Sequence, residues 1–198
     1  MPTAPHRADL ARIDAHPPRH LLLDEVGFSE RERAEIDQLP GADFVRQHDL
    51  SWLFDRFTPR PGSIGFSRGR FGDGSHPVFY SAKESETAVA EYAHHYQNRV
   101  RTGQAPARPY LVGLYEFHFD GSSKDLRPLA PHYPVLVDPN PVTAYPACQE
   151  IGRDAFRSGP DAFLTVSARW REGTCVPIFR RQVLERPAFI SGIHILPD

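Results

Sequence analysis

An α+β fold, with a curved or split mixed sheet and helices packed at its sides, is what this sequence predicts, on three observations. Strand-like and helix-like patterns are mixed along the chain without regular βαβα alternation. The apolar runs near the carboxyl end are short and spaced as hairpins are. Twenty prolines in 198 residues favour many short elements joined by stiff loops over long helices.

Residues 1–20 carry Pro2, Pro5, Pro17 and Pro18 with little apolar periodicity, and read as a loose lead-in. Ser29 and Glu32 form a capping-box pattern, so a helix is expected from there to Leu39, stopped by Pro40 and Gly41. A second helical piece is expected over residues 42–57, with Phe44, Val45, Leu50, Trp52, Leu53 and Phe54 as core candidates. Ser63 to His76, dense in Gly and Ser, reads as a strand–loop stretch. Val78 to Ala82 is a buried strand, and Ser85 caps a helix running to about Arg99. Its acidic first turn (Glu86) and basic end (Arg99, Arg101) suit the helix dipole. Leu111 to Phe119 reads as a strand with Tyr115, Phe117 and Phe119 on one face and Glu116 and His118 on the other. Residues 128–146 read as a long ordered proline-rich loop, and residues 147–157 as a helix. Strands at about 162–166, 176–180 and 188–195 finish the chain.

Composition narrows the function. Apolar residues make up 40% and charged residues 24%, ordinary globular usage. A formal net charge of −2 argues against bulk nucleic-acid binding, though not against a local basic pocket for one small anion. No stretch reaches the ~18 apolar residues of a membrane span, and the amino terminus lacks the apolar run of a signal peptide. Cys148 and Cys175 match no metal spacing and sit among apolar neighbours, so they read as free thiols of a reducing, cytoplasmic compartment.

The common chemical motifs are absent: no dinucleotide fingerprint, no phosphate-loop lysine, no Gly-x-Ser-x-Gly elbow and no His-Glu-x-x-His. His94 and His95 are adjacent on a helix, pointing about 100° apart, and read as a solvated or partly buried face rather than a metal pair. No metal site is expected. One cluster stands out. Arg70 lies among glycines, Tyr80 is near the end of a buried strand, and Glu91 is in the middle of the next helix among Ala88, Val89, Ala90 and Ala93. A carboxylate in that company is costly unless it is paired or opens on a cleft. An exposed helical glutamate is the bland alternative at Glu91, and a strand-end hydrogen bond is the bland alternative at Ser167.

Two blocks of residues carry a resemblance. Gly69-Arg70-Phe71, Pro77 to Ala82 and Glu86 to Glu91 resemble the front half of the RES domain. Gln149 to Gly152, Phe163 to Arg169 and Cys175 to Phe179 resemble its back half. The family's eponymous arginine, glutamate and serine fall on Arg70, Glu91 and Ser167, and its active-site tyrosine falls on Tyr80. The resemblance spans roughly residues 50 to 195, leaving residues 1–50 as an amino-terminal helical extension and residues 51–198 as the catalytic domain.

The resemblance implies an ADP-ribosyltransferase-like fold and cleavage of the nicotinamide–ribose bond of NAD, by phosphorolysis or hydrolysis, with NAD as substrate and no resident cofactor. It also implies a toxin neutralised by an antitoxin carrying a helix-turn-helix domain. In that setting Arg70 would grip the diphosphate and Tyr80 would offer a flat face to nicotinamide. Glu91 would hold ribose hydroxyls or the nucleophile and stabilise positive charge at the anomeric carbon, while Ser167 would bond the amide or a phosphate. Arg56, Arg68 and Arg169 are the further candidates for NAD contacts. Two other readings stand beside this one: ADP-ribosyl transfer to a protein, and a non-catalytic interaction protein of the same fold. Convergence of the four side chains on one pocket separates the enzymes from the last.

Overall fold

The structure, a computed structural model, describes residues 3–14, 29–31, 50–59 and 65–197. Six strands form one mixed sheet: β1 Ala4–Asp14, β2 Phe79–Ala82, β3 Tyr110–Asp125, β4 Ala162–Val166, β5 Thr174–Ile178 and β6 Leu184–Ile195. Two helices accompany it, α1 Ser85–Arg101 and α2 Pro141–Ser158. The class is α+β with a curved mixed sheet, as the mixed periodicities predict.

The curvature comes from β3. One of its edges takes β1, antiparallel from Ala4↔Ser123 to Asp14↔Gly113. The other takes β6 antiparallel and, at its far end, β4 in parallel from Ser123↔Ala162 to Asp125↔Leu164. From β4 the sheet runs through β5 to β2, and a single bridge, Ala11↔Ala82, joins β2 back to β1. Five strands therefore close a ring, with β6 outside it.

Alternation of side chains sends Leu10, Phe79, Phe117, Phe119, Leu164, Val176 and Ile178 into one core cluster. On the other side, Ala11, Ile13, Ala82, Val112 and Leu114 pack under Ala88 and Tyr96 of α1. A third cluster joins Phe71, Val78, Phe163 and Phe179 to Cys148 and Ala155 of α2.

Several expectations are corrected. Residues 4–14 are a strand, not a loose lead-in or part of a helical extension. The pattern is hidden because residues 10–14 are buried on both faces, Arg12 and Asp14 included, so no polar–apolar alternation survives. The helix expected over residues 29–39 lies almost wholly outside the described residues, of which Glu30 and Arg31 are helical. The second expected helix keeps only a 3-10 segment, Ser51–Phe57, its earlier part also lying outside. Residues 65–78 form no strand. Ser85 is the first helical residue of α1, and Glu84 is its N-cap.

β3 runs on through Gly121, Ser122 and Ser123, which read as a turn but are paired to β1. The proline-rich passage is not all loop, since α2 begins at Pro141. Asn140 caps it by accepting a hydrogen bond from the Val142 N–H at 3.0 Å, and a proline at the first helical position gives up only an N–H that has no helical partner. Pro146 sits inside α2. β5 starts two residues before its expected position and ends at Ile178, and β6 starts at Leu184, with register shifts in its pairing to β3.

Candidate active site

On the face of the sheet under α1 and α2, period-2 alternation lines up Tyr80 of β2, Cys175 and Pro177 of β5, and Thr165 of β4. The register pairs Tyr80 with Pro177 and Thr165 with Cys175. These four side chains line a cleft of about 200 Å³. Glu91 and His95, one helical turn apart on α1, line one wall. Arg70 and Tyr145 of α2 line another, with Arg68 and Arg169 also in the lining.

Glu91 is held from below. Ser167 Oγ donates to Glu91 Oε1 at 2.6 Å, and the Cys175 thiol donates to the same oxygen at 3.4 Å. Ser167 Oγ in turn accepts from the backbone N–H groups of Arg169 and Trp170, at 3.0 and 2.9 Å. A hydroxyl has one proton and two lone pairs, so the bonding capacity of Ser167 is filled. Its immediate task in this structure is to fix Glu91. Burial, together with the neighbouring Glu91 carboxylate, pushes the Cys175 thiol well above its ordinary pKa, so it is a neutral donor at physiological pH.

The loop from Gly69 to Gly72 carries Arg70 and is tied at several points. The Phe71 N–H donates to the Tyr80 hydroxyl at 2.9 Å. Gln149 of α2 donates its amide to Gly69 O at 2.9 Å. A Cβ at Gly69 would lie 2.6 Å from the Tyr80 hydroxyl oxygen, so the close approach of loop to ring needs glycine. Burial raises the pKa of Tyr80, which keeps its proton. Arg70 donates from Nη1 to Val135 O at 3.1 Å and from Nη2 to Asp138 O at 2.8 Å, and it lies 5.6 Å from the centre of the Tyr145 ring. Both acceptors are neutral main-chain carbonyls. They orient the guanidinium without cancelling its charge, and among the described residues they engage two of its five N–H groups.

Arg70, Tyr80 and Glu91 thus come together on one cleft, with Ser167 directly behind Glu91. Arg68 and Arg169 join them, Arg169 Nη2 donating to Pro139 O at 3.1 Å. Arg56 does not line the cleft, although its Nη1 is 3.4 Å from Ser67 Oγ, next to Arg68. Thr165, Cys175, Tyr145 and His95 went unread as site residues. Thr165 lies on β4 two residues before Ser167, and His95 four residues after Glu91 on the same helix face, so spacing from the known candidates was the available signal. His95 is exposed, as expected of its helix face, but at the rim of the cleft.

Among the described residues, no group of three or more His, Cys, Asp or Glu side chains is placed to hold a metal ion, and no helix is long and apolar enough to cross a membrane. Residues 43–194 match the family model of the RES domain. Among solved structures, the chain resembles one in the crystal structure of the M. tuberculosis MbcT–MbcA toxin–antitoxin complex. Identity there is 15% and the TM-score 0.50, over 98% of this chain and 87% of that one. No curated protein matches the sequence.

Proposed function

The chain belongs to the RES-domain family, and from that premise we propose that it is an NAD-degrading toxin that cleaves the nicotinamide–ribose bond. The observation that carries this reading is the convergence of Arg70, Tyr80 and Glu91 on one cleft, with one carboxylate oxygen of Glu91 tied to Ser167 and Cys175. Among the described residues only Oε1 receives such bonds, so Oε2 is left to serve a ligand.

In the proposed reaction the C1′–N bond breaks and its electron pair leaves with nicotinamide, which departs neutral. The ribosyl carbon becomes cation-like, and Glu91, held in place beforehand, stabilises that charge and orients the attacking oxygen. Water yields ADP-ribose and a proton, whereas phosphate yields ADP-ribose carrying the phosphate at C1′. Arg70, with Arg68 and Arg169 beside it, faces the diphosphate, and Tyr80 borders the nicotinamide ring. A cleft of about 200 Å³ falls below the ~300–1,000 Å³ that encloses a drug-sized ligand, so it takes one end of the dinucleotide and leaves the adenosine outside.

As a toxin the protein needs a cognate antitoxin, proposed here to carry a helix-turn-helix domain. A cytoplasmic location fits the free thiols of Cys148 and Cys175. The test is release of nicotinamide from NAD by purified protein, with and without phosphate, alongside the Glu91→Gln variant. Release in both conditions identifies hydrolysis, and release only with phosphate identifies phosphorolysis. Glu91→Gln should lower either rate by about 10²–10³-fold. No release from the wild-type protein in either condition overturns the reading and leaves protein ADP-ribosylation or a binding role.

A further inference from the structure

Four buried side-chain polar atoms among the described residues have no hydrogen-bond partner, and two of them belong to residues lining the cleft: Thr165 Oγ1 and Arg169 Nε. Thr165 is 2% exposed. A buried hydroxyl left unpaired costs stability, and one that borders a cleft is placed for a ligand to complete it. The surroundings define the ligand. Thr165 lies in the sheet floor beside Cys175, Pro177 and Tyr80, whereas the exposed Arg68 and His95 mark the rim. The floor side chains are uncharged and mostly apolar, with the Tyr80 hydroxyl already engaged by the Phe71 N–H and the Thr165 hydroxyl unpaired; Glu91 stands on the wall beside Cys175, and the outer end is cationic. Phosphates belong with the arginines, and a polyol needs more polar partners than the floor supplies. A flat, uncharged ring with a single amide fits.

We propose that the Thr165 hydroxyl accepts a hydrogen bond from the carboxamide N–H of the nicotinamide ring and so sets specificity for that head group. This rests on the NAD reading above and adds a residue and an orientation to it: nicotinamide inward over the sheet floor, diphosphate at the rim.

Thr165→Val tests it, because the hydroxyl has no partner among the described residues. The variant should melt at or above the wild-type temperature while losing affinity. With NAD, kcat/KM should fall about tenfold, mainly through KM, and Thr165→Ser should restore it. With the 3-acetylpyridine analogue of NAD, which has no amide N–H, wild type and Thr165→Val should perform alike. An equal loss on both substrates, or a lowered melting temperature with no change in KM, overturns the proposal and makes Thr165 structural. Binding of free nicotinamide, measured by calorimetry, separates this from the NAD reading. If the wild-type protein leaves NAD intact but binds nicotinamide through Thr165, the proposal stands while the turnover reading falls. If nicotinamide does not bind the wild-type protein, the proposal falls.

Discussion

Arg12 and Arg70 are the same side chain placed on opposite sides of one strand. Arg12, on β1, donates to the main-chain carbonyl of Tyr80, lies 4.4 Å from the centre of the Phe79 ring and sits 3.7 Å from the Asp14 carboxylate. It is 8% exposed, and burial lowers its pKa to about 10, which still leaves it charged at neutral pH. Arg70 likewise bonds main-chain carbonyls and packs beside an aromatic ring, Tyr145, but it opens on the cleft. The sealed arginine fastens β1 to β2, where the backbone supplies only the bridge Ala11↔Ala82. Its counterpart turns its charge toward the cleft. What differs is whether the rest of the fold closes over the cation.

Substitution should expose that difference. Arg12→Ala should cost about 3 kcal/mol or more in urea unfolding, as expected for removing one partner of a buried ion pair, while the folded fraction keeps most of its NAD turnover. Arg70→Ala should do the reverse, with turnover down about 10²-fold and melting little changed. Equal effects of the two substitutions on stability would erase the distinction.

Gly152→Ala should show that the cleft cation depends on its support. A Cβ there would lie 2.0 Å from the Phe71 carbonyl oxygen, so α2 and the loop beside Arg70 must part. A cost of about 1–3 kcal/mol is expected, together with lost turnover, although residue 152 does not line the cleft.

The smallest effect is expected from acid. His76, 1% exposed, bonds Phe71 O at 3.1 Å and stacks on Phe156, and burial lowers its pKa although Asp73 lies beside it. The unfolded chain therefore takes up the proton first. The contribution of His76 to stability is full above its unfolded pKa of about 6.5 and is lost as pH falls from there towards its folded value. Urea unfolding at pH 7.5 and 5.5 should show the decline, and His76→Gln should reduce it. His6, His94 and His95 shift in the same direction and leave a residual slope.

Legibility in the sequence followed the same division. Tyr80 and Glu91 were readable because a buried strand and its following helix place them side by side, Arg70 stood out among its glycines, and the family resemblance raised Ser167 above a plain strand-end hydrogen bond. Arg12 and Asp14 were unreadable because charged residues in a doubly covered strand look like a surface segment. Pro141 and Pro146 hid the first turns of α2, since a proline signals a break unless its place in the helix is known. Thr165 and Cys175 lie inside the resembling blocks but are not among the residues that give the family its signature, and only the β4–β5 register shows that they adjoin.

The long pairing of β1 with β3 also sets a schedule. β1 leaves the ribosome about a hundred residues ahead of its partner, residues 113–123. At about 5–20 residues per second that gap is on the order of 5–20 seconds, during which β1 has no strand to pair with. Thr165, Ser167 and Cys175 emerge later still, so the nascent chain carries Glu91 long before it carries the groups that hold Glu91 in place. The cleft therefore stays incomplete until residues 165–175 have followed Glu91 out of the ribosome, and a nascent chain stopped before them has the carboxylate without its holder.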